Sequence, residues 1–184
     1  RHPKTGKKKG GIKVHTNIHA NEFVPSDIKF TSAATNDSFM LKPANYNDGD
    51  IIAMDRAYID YARFEELTNR GVTYVTKMKK NLVYDTLSDT MYMLPCGLME
   101  CRVQVVEFRK HIKGGEDIKH KGRIVTYVDP AKKKAKVISL LTNDMTMEVE
   151  DIIDIYRQRW EIELLFKQLK HNFPLKYFYG ESAN

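Results

Sequence analysis

The spacing of apolar residues divides this chain of 184 residues into three parts. Residues 1–78 contain short alternating and helical runs in the order strand, strand, helix, strand, helix, strand, which predicts a mixed α/β structure. In residues 79–142, alternating segments are separated by Gly-Gly, Lys-Gly and Asp-Pro turns, which predicts a β-rich insertion. Residues 143–184 contain one long predicted helix, at 147–172. We therefore expect an α/β (α+β) fold whose mixed sheet, flanked by helices, is interrupted by the β-rich segment.

Local signals place the elements of the first part. A short helix is predicted before Pro43, and a longer one at 58–69 is closed by Gly71 as its C-cap. The strand at 51–54 is an apolar run of the buried type, and it ends on Asp55. The other strands of this part are predicted at residues 11–19, 22–31 and 72–78.

The charge balance favours a polyanionic partner. Lys and Arg number 30 against 24 Asp and Glu, which gives a net charge of +6 and a pI of about 9.2. The cations cluster near the start, at residues 77–80 and at residues 132–136. Because each cation on a phosphate releases a condensed counterion, this excess suits nucleic acid, although charge clusters are also common on solvated surfaces.

Two further features limit the class of protein. No apolar run approaches the ~20 residues that span a bilayer, and no apolar segment typical of a signal peptide follows the basic start. We therefore expect a soluble, cytoplasmic protein. Cys96 and Cys101 have no His beside them, and tetrahedral zinc needs four ligands. Reduced thiols rather than a zinc site are expected.

The last predicted helix carries a polar stripe. Its members are separated by three, four and seven residues, and at about 100° per residue they fall within an arc of roughly 60°; they are Tyr156, Arg159, Glu163 and Lys170. A neighbouring apolar face is suited to docking on a sheet; it consists of Ile152, Ile155, Ile162, Phe166, Leu169 and Phe173. Taken alone, Arg159 and Glu163 also fit an ordinary i,i+4 salt bridge worth roughly a few tenths of a kcal/mol.

Three segments together resemble a known family. Tyr156-x2-Arg159-x3-Glu163-x6-Lys170 matches the signature helix of the bacterial insertion-sequence DDE transposases of the family numbered four. The segment Lys9-Gly-Gly-Ile-Lys-Val-His15 resembles the second core strand of that family, and Ile52-Ala-Met-Asp55-Arg-Ala-Tyr58 resembles the strand end that carries its second catalytic Asp. The resemblance covers nearly the whole chain and is weakest across the β-rich segment.

The resemblance implies a fold and an activity. It implies an RNase H-like core made of residues 1–78 and 143–184, with the insertion at 79–142 between the second Asp and the Glu. Asp55 and Glu163 are then catalytic ligands of two divalent ions, normally Mg²⁺ with Mn²⁺ as a substitute, because these ions prefer oxygen ligands. The implied reactions are metal-dependent cleavage of transposon-end phosphodiesters and strand transfer into target DNA. The implied partners are double-stranded DNA and, in the synaptic complex, a second copy of the transposase.

The same motifs imply contacts with DNA. Arg159 and Lys170 are expected to contact phosphates, and Tyr156 to donate a hydrogen bond to a phosphate or sugar. Arg56 is either a contact for the scissile phosphate or a structural residue at the strand end. Trp160 is either a core residue or a surface on which a displaced base stacks.

Two histidines and the two ends of the chain complete the expectations. His15 and His19 share one face of a predicted strand and are minor candidates for a general base. The family's first catalytic Asp lies upstream of the segment that begins at Lys9, and neither Asp27 nor Asp37 matches it. We expect a fragment that lacks the first strand and the C-terminal helices, binds metal weakly and does not cut DNA by itself.

Two other functions remain open from the sequence. One is a non-catalytic DNA-binding remnant that keeps an RNase H-like fold. The other is an RNase H-like nuclease without a role in transposition, and the stripe of Tyr156, Arg159, Glu163 and Lys170 argues against it because a plain nuclease has no evident use for that set.

Overall fold

The computed structural model describes residues 12–19, 24–32, 34–94, 100–129 and 136–172. In chain order, the strands and α-helices in these ranges are β1 (Ile12–His19), β2 (Val24–Ser32), β3 (Ile51–Met54), α1 (Tyr61–Asn69), β4 (Thr73–Lys77), β5 (Asp85–Met93), β6 (Glu100–Lys110), β7 (Ile118–Asp129), β8 (Lys136–Thr142) and α2 (Val149–Asn172). Short 3₁₀ turns lie at Asp37–Met40, Pro43–Asn45 and Arg56–Tyr58.

The described strands form two sheets. β1 and β2 make an antiparallel hairpin, and the other six strands make one mixed sheet in the order β3-β4-β8-β7-β6-β5. β3 and β4 are parallel, and all other neighbours in this sheet are antiparallel. The predicted mixed α/β class is confirmed, and the arrangement is consistent with the RNase H-like α+β fold that the resemblance implies.

Apolar clusters cover the two faces of the six-stranded sheet. Neighbouring residues of a strand point to opposite faces. On β4, Tyr74 therefore packs in a cluster with Phe64 of α1, whereas Val75 packs in a second cluster with Ile152 and Ile153 of α2. All of these side chains are buried. The sheet is thus the middle layer between α1 and α2.

The start of α1 differs from the prediction by three residues. Asp60 is the N-cap, and its side chain accepts a hydrogen bond from the N–H of Ala62 at 3.1 Å. The helix therefore begins at Tyr61, since an N-cap residue itself lies outside the helix. Tyr58, predicted as the first helical residue, instead closes the preceding 3₁₀ turn.

The predicted end of α1 at Gly71 is confirmed. Gly71 has a φ of +70°, in the left-handed region where glycine is least strained. The N–H of Gly71 donates to the carbonyl of Thr68 and the N–H of Val72 to that of Leu67, each at 3.0 Å. These two bonds satisfy carbonyls that the helix leaves unpaired, as in a Schellman motif.

The β-rich character of residues 79–142 is confirmed, and the structure contains one strand more than the sequence pattern predicted. Strands predicted at 101–109, 123–129 and 135–141 correspond to β6, β7 and β8. β5 was not predicted, because its side chains are almost all exposed and lack apolar alternation. β8 lies between β4 and β7, so the β-rich segment continues the sheet of β3 and β4. The domain boundaries at residues 78 and 142 stay predictions.

Two other helical predictions are adjusted. The short helix before Pro43 is the 3₁₀ turn Asp37–Met40, N-capped by the side chain of Asn36. The long helix begins at Val149 rather than Met147. The carboxylate of Asp144 accepts the N–H groups of Thr146 and Met147 at 2.8 and 2.7 Å, which forms a turn ahead of the helix.

Three remaining expectations concern membranes, thiols and charge. Within the described ranges, no helix combines the length and the apolar character that a membrane crossing requires. Cys101 is a buried residue of β6. Cys96, the cations before Lys13 and residues 132–135 lie outside the described residues.

Candidate active site

Asp55 sits where β3 ends, with its two carboxylate oxygens in different roles. Oδ1 accepts a hydrogen bond from the N–H of Ala57 at 2.9 Å and so caps the 3₁₀ turn that follows. Oδ2 lies 3.9 Å from Nη1 of Arg159. One oxygen is therefore fixed by the local backbone, and the other faces α2.

α2 reaches Asp55 because its first turns dock on the sheet. Val149, Ile152 and Ile153 are buried in the apolar cluster on this face, and α2 contacts β3, β4 and β8. Met54 belongs to the cluster on the α1 side, so the alternation of the strand turns Asp55 towards α2. The predicted docking of an apolar helix face on a sheet thus brings the polar stripe to the end of β3.

Arg159 contacts both predicted metal ligands, Asp55 and Glu163. Its Nη2 lies 2.9 Å from Oε1 of Glu163, and its Nη1 lies 3.9 Å from Oδ2 of Asp55. The guanidinium side chain is 13% exposed, whereas the side chains of Asp55 and Glu163 are 48% and 45% exposed. A nearly buried cation therefore lies between two carboxylates that solvent reaches.

The geometry limits how far apart the two carboxylates are. The distal nitrogens of one planar guanidinium are about 2.3 Å apart, so the two oxygens that contact Arg159 lie within about 9 Å of each other. Two ions ~3.5–4 Å apart, with ligand oxygens at ~2.1 Å, span about 8 Å. This upper limit on the separation allows the two carboxylates to share a pair of ions.

Tyr156 lies one turn before Arg159 on the same stripe. The Cζ atom of Arg159 is 5.1 Å from the centre of the Tyr156 ring, within the range of a cation–π contact. Burial raises the pKa of Tyr156, and the nearby carboxylates of Asp55 and Glu163 raise it further, against the opposing effect of Arg159. The hydroxyl is therefore protonated at neutral pH and available as a donor.

Arg159 keeps its positive charge and has an unused donor. Burial acts to lower its pKa, but Tyr156 and Glu163 outweigh that effect, so the pKa of Arg159 is raised. Its Nε is buried and has no hydrogen-bond partner among the described residues. Leaving a buried donor unpaired costs about 1–3 kcal/mol. The hydrogen bonding of the guanidinium in its present position is therefore incomplete.

The remaining predicted residues are placed differently. Arg56 is exposed at the start of the 3₁₀ turn next to Asp55. Trp160 is 53% exposed on α2, so the interpretation of Trp160 as a core residue is wrong. Lys170 lies on α2, and its side chain is outside the described part of the chain.

His15 has a structural environment rather than an open one. Its Nδ1 is 2.9 Å from the hydroxyl of Tyr58 and its Nε2 is 2.8 Å from Oγ1 of Thr31, so both ring nitrogens are engaged. The pKa of Tyr58 is raised to about 12, mainly by burial and then by Asp37 and Asp55. Tyr58 thus ties the β1–β2 hairpin to the strand end that carries Asp55. His19 is exposed.

A second polar network, which sequence analysis missed, lies on the other face of the sheet. The hydroxyl of Tyr74 is 2.6 Å from Nε2 of His120, and Nδ1 of His120 is 2.8 Å from Oε2 of Glu65. Burial lowers the pKa of His120, although Glu65 acts in the opposite direction. The three residues lie far apart in the chain, and no motif or spacing marks them as a group.

The donor set of the site fits a divalent ion in part. Carboxylate oxygens are the ligands that Mg²⁺ and Mn²⁺ prefer, and Asp55 and Glu163 supply them from distant parts of the chain. In the described residues, no three His, Cys, Asp or Glu side chains are grouped closely enough to hold a metal. The described part of the site is therefore a carboxylate pair held by one guanidinium.

Comparison with known proteins decides the family. The family model for the transposase DDE domain matches residues 1–181. The chain belongs to the transposase DDE domain family. The resemblance to insertion-sequence DDE transposases that the motifs indicated is thereby confirmed.

Individual relatives of this DDE domain are also transposases by name. The chain is 24% identical to the putative transposase y4zB of Sinorhizobium fredii over 95% of its own length and 48% of the relative. It is 22% identical to the probable transposase for insertion sequence element IS5377 of Geobacillus stearothermophilus over 96% of its length and 45% of the relative. It is 27% identical to the putative transposase for insertion sequence element IS4SA of Synechocystis over 74% and 36%. The chain spans about half the length of these relatives, or less.

Proposed function

We propose that this DDE domain contributes two ligands of a metal-dependent catalytic centre that cuts phosphodiesters at transposon ends and joins them to target DNA. The observation that carries the proposal is the convergence of Asp55 and Glu163 on the guanidinium of Arg159. These residues are more than 100 positions apart in sequence, and no local capping or helix-pair rule requires Asp55 and Glu163 to share a partner.

Mg²⁺, with Mn²⁺ as a substitute, is the proposed cofactor. Asp55 and Glu163 supply hard oxygen donors, and both side chains are about half exposed, so an ion and its waters have access. When bound, divalent ions activate the attacking oxygen and neutralise the charge that develops on the phosphate. Asp55 is suited to hold an ion because its Oδ1 is already fixed by the N–H of Ala57.

The Tyr156–Arg159 pair is proposed to bind and orient the DNA backbone. The protonated hydroxyl of Tyr156 donates to a phosphate or sugar oxygen. Arg159 presents a planar set of donors that matches two phosphate oxygens, and within the part of the chain that the structure describes its Nε has no acceptor. In this proposal Asp55 and Glu163 would hold a divalent ion, and Arg159 turns from the carboxylates towards the phosphate.

Three further residues have proposed roles at the edges of the site. Arg56 is exposed next to Asp55 and is proposed to contact the scissile phosphate. Trp160 presents a half-exposed indole, which suits stacking on an unpaired base. Lys170 is proposed as a phosphate contact from its place in the sequence motif.

Double-stranded DNA is the proposed partner, and the complete transposase is proposed to act with a second copy in a synaptic complex. The net charge of +6 supports a polyanionic partner. With two carboxylates grouped in the described part of the chain, we propose that these 184 residues alone bind divalent ions weakly and do not cut DNA.

A second function is supported by the same ion pairs. Arg159 neutralises Glu163 at 2.9 Å as a structural salt bridge does, which fits a DNA-binding remnant without catalysis. One assay separates the two: a longer form of the protein, covering the length of its relatives, is incubated with a labelled duplex that ends in the element's terminal sequence, with Mg²⁺ or with EDTA. Mg²⁺-dependent cutting that Asp55→Asn abolishes supports the transposase, and DNA binding without cutting supports the remnant.

A further inference from the structure

Arg159 supplies positive charge to the two carboxylates at the end of β3. Its Nη2 is 2.9 Å from Oε1 of Glu163, and its Nη1 is 3.9 Å from Oδ2 of Asp55. The side chain of Arg159 is 13% exposed, so salt and water screen its charge less than they screen the charges of a surface pair. The guanidinium therefore acts on both carboxylates at close to its full strength.

The same contacts oppose a second cation. Asp55 and Glu163 would have to share their oxygens between the guanidinium and a divalent ion, and like charges at this range repel strongly where the site is shielded from water. The two carboxylates therefore bind a divalent ion more tightly once the guanidinium has left. Arg159 thus acts against the metal binding for which its neighbours are suited.

The guanidinium is held loosely enough to leave. Its contact with Asp55 is longer than a hydrogen bond, and its Nε has no partner among the described residues. Its contact with Glu163 involves a carboxylate that is 45% exposed, and ion pairs open to solvent are weak. A phosphate group offers what this position lacks, because two of its oxygens match the planar donors of a guanidinium.

We propose that Arg159 couples DNA binding to metal binding at this site, by leaving Asp55 and Glu163 for a DNA phosphate. Without DNA, the guanidinium stays on the two carboxylates and keeps their affinity for divalent ions low. With DNA bound, a phosphate holds the guanidinium, and Asp55 and Glu163 are released to bind the ion. This inference rests on the proposed function, since it requires Asp55 and Glu163 to be metal ligands.

The coupling is reciprocal. If DNA raises the affinity for a divalent ion by some factor, the ion raises the affinity for DNA by the same factor, and couplings between two sites are typically about 5–150-fold. Asp55 and Glu163 then hold an ion well only when a phosphate backbone lies on Arg159. The ligand that releases the site is a DNA backbone of any sequence, because a phosphate contact carries no information about the base.

Manganese binding in the absence of DNA tests the sign of the effect. Loss of the free Mn²⁺ signal in electron paramagnetic resonance measures the affinity of the 184-residue chain for the ion. Arg159→Gln removes the guanidinium charge and should raise this affinity about tenfold, within the usual range of such couplings. Arg159→Lys keeps a positive charge and should stay close to the wild type, whereas a change due to altered packing would appear in both variants.

Arg157→Gln is the matched control. Arg157 pairs with Asp154 at 3.0 Å and lies about 200° around the helix from Arg159. The control removes the same charge from the chain and should leave the manganese affinity unchanged. Manganese binding by Arg159→Gln that is no tighter than that of the wild type, or an equal rise in Arg157→Gln or Arg159→Lys, overturns the coupling.

Asp55→Asn separates a failure of the coupling from a failure of the proposed function. If Asp55→Asn weakens manganese binding but Arg159→Gln does not strengthen it, Asp55 remains a ligand and only the coupling is overturned. If Asp55→Asn leaves manganese binding unchanged, the proposed metal site is overturned, and the coupling with it.

Fluorescence anisotropy with a short labelled duplex tests the reciprocal effect. At constant ionic strength, Mn²⁺ should tighten the binding of the wild-type chain to the duplex. In Arg159→Gln the gain should be smaller, by the factor by which the manganese affinity of this variant has risen. An equal gain in the wild type and in Arg159→Gln overturns the proposal.

Discussion

Nη2 of Arg159 lies 2.9 Å from Oε1 of Glu163, one turn further along α2. Taken alone, this is a common helix ion pair. The same guanidinium also lies 3.9 Å from Oδ2 of Asp55, at the end of a strand on which α2 docks. Arg159 therefore links α2, the helix that carries the sequence motif, to the carboxyl end of β3. Four predictions follow from this linkage and from the buried network on the opposite face of the sheet.

Glu163→Gln should abolish cleavage of transposon-end DNA by a longer form of the protein while leaving the fold intact. The substitution removes a ligand charge but little volume, and an exposed i,i+4 ion pair contributes only about 0.3–0.5 kcal/mol to stability. Cleavage and urea unfolding measure the two effects. Asp154→Asn is the control, because Asp154 pairs with Arg157 at 3.0 Å on the same helix. If Asp154→Asn also stops cleavage, the loss is not specific to Glu163.

Asp55→Asn should lose cleavage without losing stability, whereas Asp55→Ala should lose both. An Asn side chain keeps the oxygen that accepts the N–H of Ala57, but it supplies no negative charge to a metal. An Ala side chain also removes the cap, at about 0.5–1.5 kcal/mol for one net hydrogen bond. Thermal unfolding and cleavage of both variants check this. A large loss of stability in Asp55→Asn would contradict the account.

Arg159→Ala should weaken binding to transposon ends and reduce the salt dependence of that binding. A lost phosphate contact lowers the slope of log K against log salt by about 1. Fluorescence anisotropy at several salt concentrations measures the slope. Arg157→Ala is the control, since Arg157 is an exposed cation on the same helix paired with Asp154. An unchanged slope in Arg159→Ala, or the same change in Arg157→Ala, counts against a phosphate contact.

Tyr74→Phe should destabilise the fold by about 1–3 kcal/mol, because it leaves Nε2 of the buried His120 without its partner. Acid should destabilise the wild type through the same network. Burial lowers the pKa of His120 below its ordinary 6.5, so the unfolded state takes up the proton first and stability falls as pH drops below about 6.5. Urea unfolding at pH 7, 6 and 5 should show a smaller fall for His120→Gln than for the wild type; an equal fall contradicts this role.

The sequence predicted local features well where a residue's own neighbours decide them. Gly71 ends α1 because its left-handed backbone closes the helix, and that requirement is visible in the sequence. The stripe of Tyr156, Arg159 and Glu163 follows from helical spacing, and the three side chains do lie together. The ionic contact between Asp55 and Arg159 was not predicted, because it arises from how α2 crosses the sheet.

The features that sequence reasoning missed depend on distant parts of the chain. His120 of β7 meets Tyr74 of β4 and Glu65 of α1 only because β4 and β7 both lie next to β8 in the sheet and α1 packs on that face. β5 gave no apolar alternation because the strand is exposed along its length. The sequence left Trp160 open between the core and a stacking surface, because its exposure depends on how far along α2 the sheet reaches, and the residue lies beyond the buried turns of the helix.

The central claim is that Asp55 and Glu163 bind divalent metal, and a crystal structure of this chain soaked in millimolar Mn²⁺ tests it most directly. Anomalous scattering locates the ion without assumptions about ligands. The account predicts a manganese peak within coordination distance of carboxylate oxygens from both Asp55 and Glu163, with the Arg159 guanidinium moved away from between them. Manganese absent from this position, with Nη2 of Arg159 still paired to Glu163, would contradict the claim and leave the ion pairs as structural contacts.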